Sequence, residues 1–132
     1  MRQRTKFKIT VYTLLFIIAC LTLFLCSNSL KTKARDYKRI GDLKTIQSKF
    51  AYYFSKNNTY IIPSCGENDL LSDCKAPEAD FSNLTDPLNQ GMYRYVIFSL
   101  SETDFQIGFA LEKKLNGVEA GGHIYSKNGL LK

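Results

Sequence analysis

The spacing of apolar and charged positions predicts one long helix over residues 7–56. Residues 9–30 carry no charge, and a helix of that length rises about 33 Å at ~1.5 Å per residue, enough to cross a bilayer core of about 30 Å. After this segment apolar residues recur at every third or fourth position, the period of an amphipathic helix with one apolar face. The recurring residues are Leu30, Ala34, Tyr37, Ile40, Leu43, Ile46, Phe50 and Tyr53.

The pattern after residue 56 predicts a looped region followed by three short strands. Proline, glycine and asparagine residues spread over residues 57–92 favour turns over long regular elements. Apolar residues on both sides of the run 93–98 predict a central strand, whereas the alternation across 105–112 predicts a strand with one apolar face. A third strand is predicted at residues 123–126, after an Asn-Gly turn signal.

The predicted fold class is therefore α+β, with one long N-terminal helix packed on a three-stranded antiparallel sheet. Such a sheet buries its apolar face only by packing on another element, and the amphipathic half of the helix offers one. The predicted segments are a basic N-terminus 1–8, an apolar span 9–30, an amphipathic half 31–56 and a head 57–132. The helix residues expected to pack on the head are Ala34, Tyr37, Ile40 and Leu43.

The uncharged span is predicted to be a retained membrane anchor. A cleaved secretory signal, which is the alternative, has an apolar region of only ~7–15 residues before a site of small residues. Ser27 and Ser29 imitate such a site poorly, because the apolar run before them is too long. The residues expected to contact the membrane or the helices of neighbouring subunits are Lys8, Ile9, Leu15, Ile18 and Leu25.

The distribution of charge excludes nucleic acid as an expected partner of the head. The chain has a net charge of +6, but residues 1–39 hold nine of its 18 basic residues and one acidic residue. The remaining 93 residues carry nine basic and eleven acidic side chains, a net charge of −2. Proteins that bind single strands combine aromatic residues with a basic groove, so the 17 tyrosines and phenylalanines are assigned to core packing instead.

Two cysteines in the looped region decide the predicted orientation. Cys65 and Cys74 are spaced as in a small disulfide loop, which persists only in an oxidising compartment. A zinc site is the alternative, but His123 is the sole histidine and no cysteine follows Cys74, so four ligands are not available in one chain. Because the charges that flank the span do not settle orientation, the disulfide places the head outside the cytoplasm.

Two groups of residues in the chain resemble a known family. The first group comprises Lys33-Ala34-Arg35-Asp36, Arg39-Ile40, Asp42-Leu43-Lys44 and Ile46-Gln47, followed by Tyr52-Tyr53, Asn57 and Tyr60 to Pro63. The second comprises Asp86-Pro87-Leu88-Asn89 followed by Tyr93-Arg94-Tyr95. In order and spacing these groups resemble type IV pilins and the pseudopilins of the type II secretion system. The resemblance covers residues 28 to about 112.

The resemblance implies a structural subunit of a pilus or pseudopilus. Its N-terminal helix would lie in the bacterial inner membrane as a single span, with the head in the periplasm. Its expected partners are the membrane and other pilin or pseudopilin subunits, in homo-oligomers or hetero-oligomers. No enzymatic activity and no cofactor are expected.

The chain departs from this family at its N-terminus. Family members have a short basic leader, a glycine and a Phe-Thr-Leu-Ile-Glu start, whereas the first glycine here is Gly41 and Lys8 stands where the family has its helix glutamate. That glutamate pairs with the N-terminal amine of a neighbouring subunit, and a lysine there replaces attraction with repulsion. The alternative function is a membrane-anchored binding module that does not polymerise.

The remaining candidate chemistry is weaker. His123 lies in a predicted strand with no serine elbow nearby, which favours a structural histidine over a catalytic one. The resemblance also raises calcium, which some pseudopilins bind in the loop between late strands. Asn116 and Glu119 supply only two side chains for an ion that takes six to eight oxygen ligands, which favours a plain turn.

Overall fold

A computed structural model describes the backbone of residues 2–131 and the side chains of Lys8 and of residues 10–131. The fold is α+β, as predicted: one long N-terminal helix is followed by a four-stranded antiparallel sheet and a small hairpin. The chain divides into two compact units, residues 1–34 and residues 35–132. The second unit, which contains the C-terminal part of the helix and the whole sheet, is called the head below.

Helix α1 runs over Arg2–Asn57, and its C-terminal end is set by asparagine. Asn58 adopts a left-handed conformation with φ of 53°, and its backbone N–H donates to the carbonyl oxygen of Phe54 at 2.8 Å. This hydrogen bond closes the last turn, because a left-handed residue directs the chain away from the helix axis. The predicted end at residue 56 differs from the observed end by one residue. Gly41 is accommodated within the helix without a break.

The main sheet has four strands in the order β3-β4-β5-β6, all antiparallel. A separate hairpin precedes it. The strands are β1 (Lys75–Ala76) and β2 (Ala79–Asp80) in the hairpin, and β3 (Val96–Leu100), β4 (Phe105–Leu111), β5 (Gly121–Ser126) and β6 (Gly129–Leu130) in the sheet. Strands β1, β2 and β6 were not predicted, because a two-residue strand is too short to display a period.

Strand β3 lies at the edge of the sheet, which corrects the predicted central position. Its outer side is covered by a loop: the N–H of Leu71 donates to the carbonyl of Tyr95 at 2.9 Å, and the N–H of Ile97 donates to the carbonyl of Asp69 at 2.9 Å. The loop pairs the strand's backbone as a neighbouring strand would. A covered edge strand therefore has the same sequence pattern as a central one.

The core of the head lies between the C-terminal part of α1 and one face of the sheet. Phe50 is fully buried at its centre. Its ring stacks on that of Phe105 with 4.3 Å between centroids, and lies 4.8 Å from that of Phe81. Other buried members of this core are Leu43, Ile46, Tyr53, Ile97, Ile107, Phe109 and Leu111.

The helix residues predicted to pack on the head are wrong in one turn of the helix. Leu43 lies in the core and Ile40 packs partly against it. Tyr37, however, is 51% exposed and Ala34 is also exposed. The buried stripe of residues 43, 46, 50 and 53 continues toward the N-terminus through Arg39 and Asp36, which are almost completely buried. Apolar spacing alone selected the neighbouring positions, because charged residues are seldom buried unless they are paired.

Candidate functional site: an apolar helix surface and a buried ion cluster

Among the described side chains, helix α1 exposes apolar residues on all of its sides between residues 11 and 30. Residues 14–18 are all at least half exposed, and five successive residues of a helix point in every direction around its axis. Of the predicted contact residues, Lys8 is exposed, and Leu15, Ile18 and Leu25 are 50–59% exposed. The side chain of Ile9 lies outside the described residues.

Within the described part of the chain, α1 is the one helix long and apolar enough to cross a membrane, and its most apolar stretch is entirely unburied. A helix with these properties serves either as a membrane span or as a secretory signal. Two threonine hydroxyls in this stretch are satisfied within the helix: Thr13 donates to the carbonyl of Thr10 at 2.9 Å and Thr22 to that of Ala19 at 2.8 Å. These groups therefore do not require water, which the interior of a bilayer lacks.

The head contains a buried ion cluster centred on Arg39. The guanidinium donates two hydrogen bonds to the carboxylate of Asp86, from Nε at 2.6 Å and from Nη2 at 2.9 Å. Its Nη1 donates to Asp36 and to Glu112, each at 2.7 Å. Asp36 and Arg39 come from α1, Asp86 from the loop before β3, and Glu112 from the residue after β4. These four residues, together with Arg35, are called the Arg39 cluster.

The carboxylates of the cluster also accept backbone hydrogen bonds. Asp36 accepts the N–H groups of Glu112 and Lys113, both at 3.0 Å. Asp86 accepts the N–H of Leu88 at 2.8 Å, which closes the turn that begins at Asp86. No buried side-chain nitrogen or oxygen among the described residues is left without a partner. A buried ion group is tolerated only when it is satisfied in this way.

Two further contacts extend the cluster along the helix. Arg35 binds Glu112 with two hydrogen bonds, from Nε at 2.7 Å and from Nη2 at 2.5 Å. Tyr95, the residue directly before β3, donates its hydroxyl to Asp42 at 2.8 Å. Residues 35–42 are therefore joined to the loop before β3 and to the residues that flank the β3-β4 hairpin at its open end.

The cluster shifts the pKa values of its members in the directions expected for paired ions. Hydrogen bonds from Arg35, followed by those from Arg39, lower the pKa of Glu112 to about 2 despite its partial burial. Burial acts most strongly on Asp86 and raises its pKa, but the hydrogen bonds and charge of Arg39 and the N–H of Leu88 outweigh it and leave that pKa below its usual value. For Arg39, burial is likewise outweighed by its three carboxylate partners, and its pKa is raised. All three groups are therefore charged at neutral pH.

Four of the five residues of the Arg39 cluster belong to the two sequence motifs, whereas Glu112 does not, and none of the five was predicted to form a site. The structure joins the motifs, because Asp36 and Arg39 belong to the first and Asp86 to the second. The sequence does contain one indication of the cluster that was overlooked: Asp36 and Arg39 lie on the same helix face as the buried stripe, where that stripe continues toward the N-terminus. Charged residues on an otherwise apolar helix face indicate buried partners elsewhere in the chain.

The predicted disulfide is present: Cys65 and Cys74 are joined, with 5.4 Å between their Cα atoms. Cys74 is buried in the core of the head. The bond therefore ties the exposed loop around Cys65 to the core. Cys20 and Cys26 are free thiols in the apolar helix.

Replacing Cys65 by serine is expected to lower the free energy of unfolding of the head by about 2–3 kcal/mol, because the bond closes a loop of ~10 residues in the unfolded chain. Chemical denaturation of the full chain in detergent, with and without reductant, measures this difference. Cys20→Ser is the matched control and should leave stability unchanged. Alkylation of both Cys65 and Cys74 in unreduced native protein would contradict the prediction.

The remaining candidate residues have local contacts. The Nε2 of His123 donates to the carbonyl oxygen of Glu119 at 2.7 Å, and its ring lies 5.5 Å from that of Phe109. The carboxylate of Glu119 pairs with Lys114, and Asn116 is a turn residue with φ of 50°. Within the described residues, no group of three or more histidine, cysteine, aspartate or glutamate side chains is arranged to hold a metal ion.

Comparison with protein families, curated proteins and solved structures finds no match to this chain. The architecture is pilin-like, with a long apolar N-terminal helix followed by an antiparallel sheet.

Proposed function

We propose that this chain is a pilin-like structural subunit, a minor pilin or pseudopilin, of a type IV pilus or a type II secretion pseudopilus. In this proposal the N-terminal helix anchors the subunit in the bacterial inner membrane as a single span, with the head outside the cytoplasm. The same helix packs against those of other subunits in the assembled filament. The role is structural, without catalysis or cofactor.

The exposed apolar surface of residues 1–34 is the observation that carries the proposal. A helix that is apolar on all sides is stable only when lipid or other helices surround it. A filament whose subunits enter from the membrane uses both environments in turn, with lipid before assembly and neighbouring helices afterwards.

The Arg39 cluster supports the proposal from the side of the head. It fixes residues 35–42 to a loop and to the sheet through ion pairs and backbone hydrogen bonds. A structural subunit needs a head that keeps one orientation on its own segment of helix. A flexible joint there would allow the head surfaces of neighbouring subunits to vary.

A second candidate function is a membrane-anchored module that does not polymerise. Lys8 favours it, because a lysine stands where the resembling family has a glutamate, and the residue is exposed. An unpaired ammonium buried between helices costs several kcal/mol. In a filament, Lys8 therefore needs a carboxylate from another subunit or a position at the aqueous edge.

Cysteine crosslinking in native membranes separates the two functions. We expect the variant Thr13→Cys, with Cys20 kept and Cys26 replaced by serine, to give a ladder of regular multimers on oxidation, because two thiols per subunit can each form one disulfide with a neighbour. Thr13 and Cys20 are both exposed on the apolar helix, so these thiols join successive subunits into a regular series only in an assembly. The matched control is Glu102→Cys in the exposed turn between β3 and β4, in the same background with Cys20 kept and Cys26 replaced, which should give no regular ladder.

Monomers alone at native expression would contradict the structural role and favour the module. The variant Lys8→Glu adds a second criterion. In a filament subunit it should preserve or increase the ladder, because it restores the charge found in the resembling family. In a module that does not polymerise it should leave the multimer pattern unchanged.

A further inference from the structure

The face of the sheet opposite the core carries an apolar groove of about 650 Å³. Gly108 lies on this face, because its neighbours Ile107 and Phe109 point into the core and side chains alternate along a strand. A solvent-facing sheet surface normally carries polar side chains. This groove is instead lined mainly by apolar residues from the segment before β3, from β3 to β5, and from the residue after β6.

Gly122 in β5 leaves part of the groove floor without a side chain, and larger exposed side chains surround it. The ring of Phe98 lies over Gly108, 2.5 Å from the position that a Cβ would take. Met92 is 57% exposed and Leu131 is 41% exposed. The volume lies in the range of small-molecule sites, about 300–1,000 Å³.

One charged side chain lines the groove without a partner in the head. Arg94 is exposed, and among the described residues it forms no hydrogen bond or ion pair. Arg35 and Arg39, by contrast, are both paired with carboxylates. An arginine beside an apolar surface is suited to bind a carboxylate through two hydrogen bonds.

We propose that this groove binds a long-chain carboxylate, with the alkyl chain over Gly122 and the apolar lining and the carboxylate on Arg94. The groove has one positive charge, on Arg94, and an otherwise mainly apolar lining. A ligand with an apolar chain and one terminal anionic group is complementary to it. A peptide suits the lining less well, because its amide groups would lie on an apolar floor without partners. This activity is additional to the structural role and independent of it.

The two methionines of the chain provide the measurement. With ¹³C-methyl methionine, the full chain in phosphatidylcholine nanodiscs gives signals from Met1 and Met92, and the variant Met92→Leu assigns the signal in the groove. We expect decanoate at pH 8 to shift the Met92 signal to saturation. Decanol, which has the same chain without the charge, should bind at least about tenfold more weakly, as expected for loss of a charge-assisted pair.

Two variants test the two halves of the proposed site. Arg94→Gln should weaken decanoate binding about tenfold, to the level of decanol. Gly122→Val should abolish saturable binding by filling the floor. It should fold normally, because a Cβ there meets nothing closer than the terminal methyl of Met92 at 3.9 Å. Lys56→Gln removes the same charge from an exposed position outside the groove and should leave binding unchanged.

Three results would overturn the proposal. The first is a shift that does not saturate, or that persists in Gly122→Val, because it reports only partition into the bilayer. The second is equal binding of decanoate and decanol, or an unchanged affinity in Arg94→Gln. The third is tighter binding of an uncharged apolar tripeptide amide than of decanoate, which would assign the groove to a peptide.

Discussion

Replacing Arg39 by methionine should lower the free energy of unfolding of the head by about 3–5 kcal/mol, the cost of breaking a buried ion group by removing one partner. Methionine has a similar length, so the loss comes from charge and not from volume. The variant leaves Asp36 and Asp86, both almost completely buried, without the cation that they share. Chemical denaturation of the full chain in detergent, followed by tyrosine fluorescence, measures the change, because the chain has eight tyrosines and no tryptophan.

Lys38→Met is the matched control for Arg39→Met. Lys38 lies one residue away and pairs with Asp42 at 2.7 Å, but its side chain is 52% exposed. Exposed pairs of this kind contribute about 0.3–0.5 kcal/mol, so the control should stay close to the unmodified protein. A second variant, Arg39→Met with Asp86→Leu, should recover part of the lost stability. It also removes the carboxylate of Asp86, which Arg39→Met alone leaves buried without its cation. A loss from Arg39→Met no larger than that of the control would show that the cluster does not stabilise the head.

Acid should destabilise the head between about pH 5 and pH 2. The pKa of Glu112 is lowered from 4.5 to about 2 by its arginine partners, and that of Asp86 is also lowered. The unfolded chain therefore binds these protons at a higher pH than the folded chain. The stability that the two groups contribute is fully present above the pKa values that they have in the unfolded chain. It is lost as pH falls toward the lower pKa values that they have in the folded chain.

The shift at Glu112 corresponds to at most about 3 kcal/mol, and Asp86 adds to it. Stability measured by denaturation at pH 7, 5, 4, 3 and 2 gives the profile. Glu112→Gln removes one of the titrating groups, so it should be less stable than the unmodified protein at pH 7 and should lose less stability between pH 5 and pH 2. Parallel pH profiles for the two proteins would contradict the role assigned to Glu112.

The helix and the three longer strands were predictable because each displays its period over several residues. Leu43, Ile46, Phe50 and Tyr53 repeat at helical spacing, and all four are buried. The same reasoning failed at Tyr37 and Ala34, since it followed apolar residues past the point where the buried stripe becomes charged. The helical period shows which residues share one face of the helix. Hydrophobicity alone does not show that this face is buried where its residues are paired ions.

The partners of Arg39 were not predictable from local sequence. Asp86 is 47 positions away along the chain and Glu112 is 73, and nothing in the spacing of single charged residues links such positions. The groove was missed for a related reason. Its lining comes from neighbouring strands, whose residues are brought side by side only when the register is known: Gly108 pairs with Ile124, and Ala110 pairs with Gly122.

The members of the Arg39 cluster are far apart in the sequence, and this affects how the chain folds while it is being synthesised. At ~5–20 residues per second, about 4–15 s of synthesis separate Arg39 from Glu112. During that time the stripe that begins at Leu43 has no sheet to cover it. Asp36 and Arg39 are three positions apart and can pair as soon as both have been synthesised. A hydrated ion pair therefore lies on the N-terminal side of the apolar stripe while the sheet is still missing. The cluster is therefore completed in two stages, with a local pair early in translation and the distant carboxylates only after β4 has been made.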